Sequence, residues 1–213
     1  MASTENRRPL ASRDTRWAAR ITRWLAGTSI TPNQISIAGI GAAFLSGVCF
    51  WLAGESFGWT RAILLLLAAV FCQLRLLCNL LDGMVAIEAG RASPDGGFWN
   101  ELPDRVADML ILMGIALGLG APALGWAAVS FAFLTAYIRQ LGIGCGAGAD
   151  FSGPMAKPHR MALVTAAAVL SLAEPLWGGH GQVLLVGLWL IALGAAFTAL
   201  RRSVRLVWKL RAG

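Results

Sequence analysis

Apolar residues in this chain form long, nearly unbroken runs. Six runs approach or exceed the length that crosses a bilayer, about 20 mostly apolar residues. They cover residues 33–54, 62–88, 100–119, 122–141, 161–177 and 182–200, the fifth being the shortest. A membrane barrel would alternate apolar and polar positions, and these runs do not. The pattern therefore predicts an all-α integral membrane protein with six transmembrane helices. Ahead of them, residues 13–26 place Trp17, Ile21, Trp24 and Leu25 at helical spacing with arginines on the other faces. That predicts an amphipathic helix lying in the membrane interface, tryptophans toward lipid, and ended by Gly27. Thr31 is positioned to cap the first span, and Pro32 suits its first turn.

The expected organisation is a polar, basic and disordered tail over 1–12, the interfacial helix over 13–27, and the six-helix domain over 28–213. No cleavable leader is expected, because the first thirty residues contain no apolar stretch before a small-residue site. Two connections are glycine-rich. Residues 89–99 predict a tight polar turn, and residues 142–157 a longer loop leading into Pro158, His159 and Arg160. Gly114 and Gly118 form a GxxxG pair of the kind that lets helices approach closely.

Composition agrees with a membrane protein: 57% of residues are apolar and only 14% are charged, against about 25% charged in soluble domains. The net charge of +7 raises nucleic acid as a partner, but its distribution excludes that reading. Six arginines (Arg7, Arg8, Arg13, Arg16, Arg20, Arg23) precede the first run. Arg201, Arg202, Arg205, Lys209 and Arg211 follow the last, and Arg91, Lys157 and Arg160 fall in the second and fourth connections. The remaining connections hold only Arg61. With both termini cytoplasmic this is the asymmetry of the positive-inside rule, with added attraction to anionic lipid. Cys49, Cys72, Cys78 and Cys145 form no CxxC pair and read as small packing residues.

Ionisable groups inside spans are expensive, about 2.5–3.5 kcal/mol at mid-helix, yet here they cluster. In the second span Arg75, Asn79, Asp82, Gly83 and Ala86 lie near one helical stripe. In the third, Asn100, Asp104 and Asp108 recur every four residues, with Glu101 beside them. A hairpin turns the two stripes toward each other. Opposed oxygen ligands suit a hard divalent cation whose shell is completed by substrate phosphate, and a metal pair can serve both oxygens of a phosphoryl transfer. A buried salt-bridge network through Arg75 and Arg105, or an ion or proton pathway, would account for the same carboxylates, and both stay open on the residues alone.

The order and spacing of these residues resemble the CDP-alcohol phosphotransferase family, with its signature D-x2-D-G-x2-A-R-x8–9-G-x3-D-x3-D. Asp82, Gly83, Ala86, Gly96 and Asp104 match it. Asn79 and Asn100 stand in place of two aspartates, and Ile87 in place of the arginine. The interfacial helix, the Thr31-Pro32-Asn33 opening, the six spans and the Lys157 connection fit the same plan. The asparagine variant resembles a bacterial branch of the family. A second register makes Asp104 and Asp108 the final pair, at the expense of Gly96 and the spacer length.

The resemblance implies transfer of a phosphatidyl or other substituted phosphate group, with release of CMP. The donor would be CDP-diacylglycerol or another CDP-alcohol, and the acceptor an alcohol or alcohol phosphate. It implies one or two Mg2+ or Mn2+ ions held by Asn79, Asp82, Asn100, Asp104 and, as an added ligand, Asp108. Asp104 would also be the catalytic base. Gly83, Ala86, Gly96 and Arg91 would bind the nucleotide, and Lys157 and Arg160 the substrate phosphate. A homodimer in the bacterial inner membrane, with its active site cytoplasmic, completes the expectation. A catalytically silent homologue that binds nucleotide-lipid, and an ion-coupled transporter, are the competing readings.

Overall fold

The structure, a computed structural model, describes residues 15–90 and 94–212. Every regular element among them is helical: α1 (Arg16–Ala26), α2 (Pro32–Glu55), α3 (Gly58–Glu88), α4 (Gly96–Gly118), α5 (Pro122–Gly144), α6 (Lys157–Leu170), a 3-10 helix (Ser171–Trp177) and α7 (Gln182–Ala212). Five segments are long and apolar enough to cross a membrane: α2, α3, α5, α6 with its 3-10 extension, and α7. The sixth expected span, α4, has 23 residues but carries Glu101, Asp104, Arg105 and Asp108 between its first turn and its middle. Those charges keep it outside that set. The expected tail over 1–12 and Arg91 lie outside the described residues.

The helices outrun the apolar runs at several ends. The second connection closes sooner than expected, because α4 already begins at Gly96. α7 has 31 residues, roughly 46 Å at 1.5 Å per residue. Its basic residues ride on the helix itself rather than following it. The first span opens as its residues dictate: Thr31 and Gln34 form a reciprocal capping box, with Pro32 at the first helical position.

α2 and α4 pack backbone against backbone. A Cβ placed on Gly114 would lie 2.2 Å from the Gly47 carbonyl oxygen, and one on Gly54 would lie 2.0 Å from that of Gly118. The GxxxG pair thus has a definite partner, Gly47 and Gly54 on α2. Phe50, Leu65, Ile111 and Leu188 fill the core around this seam. α1 rests on α3 through Leu25 and Ile21, which join Leu81, Val85 and Ile35 in a second cluster. Trp17 and Trp24 stay exposed. The apolar stripe read from the sequence is therefore split, with Leu25 and Ile21 turned to protein and the tryptophans outward.

At the far end of the bundle Arg61 is not in a connection, as its sequence position implied, but in α3, 5% exposed. Its Nη2 lies 2.5 Å from Oε2 of Glu174 and its Nη1 donates to the Ser171 carbonyl. Glu174 is fully buried and also accepts from the backbone N–H groups of Gly181 and Val183. Holding this glutamate inward tightens the end of the fifth segment into a 3-10 helix, where Pro175 has no N–H to give.

The α2–α4 seam makes a direct prediction. Gly114→Leu will lower the unfolding temperature in detergent by the equivalent of about 1–3 kcal/mol or more. Gly41→Leu, on the same pair but with nothing within 4 Å of its added Cβ, will leave it nearly unchanged.

Candidate functional site

The helix pair held by that seam brings the two polar stripes face to face. Asn79 and Asp82 of α3, Asp104 of α4 and Ser36 of α2 line a gap of about 10 Å3, room for roughly one water or one small ion. Asp82 is 4% exposed. Its Oδ2 accepts from the Ser36 hydroxyl at 2.7 Å, and its Oδ1 from the Gly83 backbone N–H at 2.6 Å. It makes no ion pair within 4 Å among the described residues. Across the gap, the Lys157 ammonium lies 2.5 Å from Oδ1 of Asp104 and donates to Oδ1 of Asn79. One cation therefore already bridges oxygens from both stripes.

Two other carboxylates of α4 are engaged elsewhere. Asp108, 1% exposed, has Oδ2 at 2.5 Å from Arg160 Nη2 and Oδ1 at 3.3 Å from Arg75 Nη2. Arg75 also reaches the main-chain oxygen of Asp104 at 3.2 Å. Arg160 gives its Nη1 to the Met155 carbonyl. Glu101 accepts from Arg139 with both oxygens, at 2.5 and 2.6 Å, and the Arg139 guanidinium sits over the Phe151 ring. Arg75 thus reaches both Asp104 and Asp108, and Arg105 lies 3.8 Å from Asp104 and Glu101, whereas Asp82 stands outside these ion pairs.

Beside the gap opens a cavity of about 410 Å3, with Asn79 and Asp104 in the wall of both. Arg105, Arg139, Lys157 and Arg202 give it a cationic lining, and Trp17 of α1 closes one side. Arg202 is fixed by donating to the carbonyls of Ser152 and Thr135 at 2.8 and 2.7 Å. In the connection above, burial alone would raise the Asp150 carboxyl. Hydrogen bonding from Ser152 and the Arg205 and Arg202 charges outweigh that effect and hold it below its ordinary value.

Gly83 faces open space, with nothing within 4 Å of an added Cβ, so close helix packing is not the reason for a glycine there. Ala86 is half-buried on the same stripe, and Gly96 opens α4. Asn100 lies in α4, with its side chain outside the described residues. Ser36, Arg139 and Arg202 were not singled out from the sequence. An arginine inside an apolar run, as at Arg139, was the available signal for one of them, since it demands a partner.

Among the described residues no three His, Cys, Asp or Glu side chains cluster as a metal site. The gap instead offers two carboxylates, an amide oxygen and a hydroxyl. That all-oxygen, carboxylate-poor set fits magnesium or manganese completed by phosphate oxygens, and an ammonium already occupies two of its members.

No protein-family model matches the chain. Known proteins do. An archaetidylinositol phosphate synthase of Pyrococcus horikoshii is 35% identical over 99 residues, 46% of this chain and 47% of that protein's own length. A phosphatidylinositol phosphate synthase of Streptomyces avermitilis is 27% identical over 198 residues, 89% of this chain and 78% of that one. The chain is similar in sequence to enzymes named as phosphatidylinositol and archaetidylinositol phosphate synthases. The first of these relatives is thus matched over about half of its length. A fold is also shared: the crystal structure of the phosphatidylinositol phosphate synthase of Mycobacterium tuberculosis with CDP-DAG bound superposes with a TM-score of 0.74, covering 91% of this chain and 94% of that one at 21% identity. With manganese and citrate bound the TM-score is 0.73, at 90% and 88% coverage and 21% identity.

The division of carboxylates predicts unequal mutants. Asp108→Asn leaves Arg160 buried without its counter-charge and will destabilise the protein by about 3–5 kcal/mol. Asp82→Asn breaks no ion pair and will leave thermal unfolding in detergent within about 1 kcal/mol of the parent.

Proposed function

We propose that this protein transfers a phosphatidyl group from CDP-diacylglycerol to a phosphorylated alcohol, releasing CMP. The observation that carries the reading is the meeting of Asn79, Asp82 and Asp104 around an ion-sized gap beside a cationic cavity of about 410 Å3. The names of the relatives, the CDP-DAG in the similar crystal structure and the manganese in its companion support the donor, the phosphorylated acceptor and the metal class.

Asp82, Asp104 and Asn79 would hold the divalent ion, joined by Asn100 of the same motif. When bound, that ion supplies charge neutralisation at the donor pyrophosphate. Asp104 takes the proton of the acceptor hydroxyl. The freed oxygen bonds to the β-phosphorus, the bond from that phosphorus to its bridging oxygen breaks, and CMP leaves. Lys157 offers a point charge to phosphate in the cavity, and Arg139 adds a fork held by Glu101 and Phe151. Arg160 lines the same cavity, but its Nη2 is on Asp108 and its Nη1 on the Met155 carbonyl, so it acts by fixing that wall. Gly83 and Ala86 would leave space along α3 for the nucleotide, with Gly96 at the start of α4 and Arg91 as a further nucleotide contact.

In this reading α4 completes a six-helix membrane domain, its charged first half facing protein rather than lipid. α1 lies in the interface, consistent with its outward tryptophans. The basic excess at both ends supports cytoplasmic termini and a cytoplasmic site; a bacterial inner membrane and a homodimer belong to the same reading.

The test is CMP release from CDP-diacylglycerol by the detergent-purified protein, with magnesium or manganese and a panel of alcohol phosphates. One acceptor will drive release. Chelator and Asp104→Asn will each lower it by at least about 100-fold, the range of a lost acid–base group. Release that survives both treatments, or silence with every acceptor and with CDP-alcohol donors, contradicts the transferase.

A further inference from the structure

Resting on that reading of the site, we infer that Lys157 serves as a built-in second cation: this protein binds one divalent ion, on the Asp82 side of the gap, and the Lys157 ammonium fills the place a second ion would take on Asn79 and Asp104.

Three observations lead there. The first is position. Lys157 Nζ lies 2.5 Å from Oδ1 of Asp104 and donates to Oδ1 of Asn79, so it bridges one oxygen from each polar stripe as a metal would. It is held there by its place at the first residue of α6, next to Pro158 and one turn before the buried Arg160. Arg160 is itself tied to Asp108 and to the Met155 carbonyl.

The second is the ligand supply. Two positions of the signature carry neutral asparagine, Asn79 and Asn100. The neighbouring carboxylates cannot make up the deficit: Asp108 is engaged by Arg75 and Arg160, and Glu101 by Arg139. That leaves Asp82 and Asp104, and Asp104 is shared with Lys157 and, at 3.4 Å, Arg75.

The third is charge. Asp82 and Asp104 bring two negative charges to the gap, and Lys157 and Arg75 bring positive charge to the Asp104 side. One divalent ion fits beside Asp82, the carboxylate of the gap that no cation among the described residues reaches within 4 Å. A second ion, beside an ammonium and a guanidinium in a medium of reduced dielectric, meets strong repulsion. The gap is also small, about 10 Å3, close to the space of one water.

The test counts metal and does not depend on turnover. Detergent-purified protein is dialysed to equilibrium with manganese, with and without CDP-diacylglycerol. Bound manganese per chain is measured by mass spectrometry, and its spectrum by electron paramagnetic resonance. The parent will hold one ion per chain in both conditions, with the six-line signal of an isolated Mn2+. Lys157→Met will hold two, with the broadened signal of a coupled pair, and Lys157→Arg will return to one. Two ions in the parent overturn the inference while leaving the proposed function standing. So does a single ion in Lys157→Met, because the lysine is then not what excludes the second. No bound ion in the parent overturns the inference together with the metal-dependent transferase itself. The parent count needs no variant, so a misfolded Lys157→Met cannot obscure it.

Discussion

A carboxylate between membrane helices has to be matched by a cation or by hydrogen-bond donors, because there is no bulk water to take its charge. Asp108 illustrates the rule: it is almost wholly buried, and Arg75 and Arg160 come from two other helices to meet it. This pairing ties α3, α4 and α6 together at the level of the site. It sets the start of α6, and through it the position of Lys157. Asp82, without an ion pair among the described residues, is affordable only because Ser36 and the Gly83 N–H satisfy its oxygens. The two aspartates thus differ in their partners for one physical reason, and the proposed function rests on that difference. One has its charge met by two guanidinium groups, and the other has only a hydroxyl and a backbone N–H.

The same constraint repeats away from the site. Glu174 at the opposite end is met by Arg61 and two backbone N–H groups, and Glu101 by Arg139. Between these polar anchors the bundle is joined by shape. Gly47, Gly54, Gly114 and Gly118 let α2 and α4 touch along their backbones, a contact that bulky side chains would prevent. The seam holds Ser36 of α2 and Asp104 of α4 close enough to wall the same small gap. Packing of glycines deep in the bundle is thereby linked to the geometry of an oxygen cage near its end.

Much of this was legible in the residues. Apolar runs located the helices, and Thr31 with Pro32 marked where the first span begins. The i, i+4 recurrence of Asn100, Asp104 and Asp108 marked one face of α4. Spacing says which residues share a face, but not which of them finds a cation across the interface. Asp104 and Asp108 look equivalent in the sequence, and only the approach of Arg160 from α6 separates them. Arg61 was misplaced for a related reason: a single arginine near the end of an apolar run reads as a loop residue until its partner, Glu174, is seen more than a hundred positions away. Ser36 is an ordinary serine in an apolar helix until α3 brings Asp82 against it.

The central claim is that the gap walled by Asn79, Asp82 and Asp104 is a divalent-cation site. Anomalous diffraction from crystals grown with manganese addresses it most directly. The account predicts an anomalous peak bounded by Asp82, Asn79 and Asp104. A map without a peak there, from crystals in which these side chains are ordered, would contradict it.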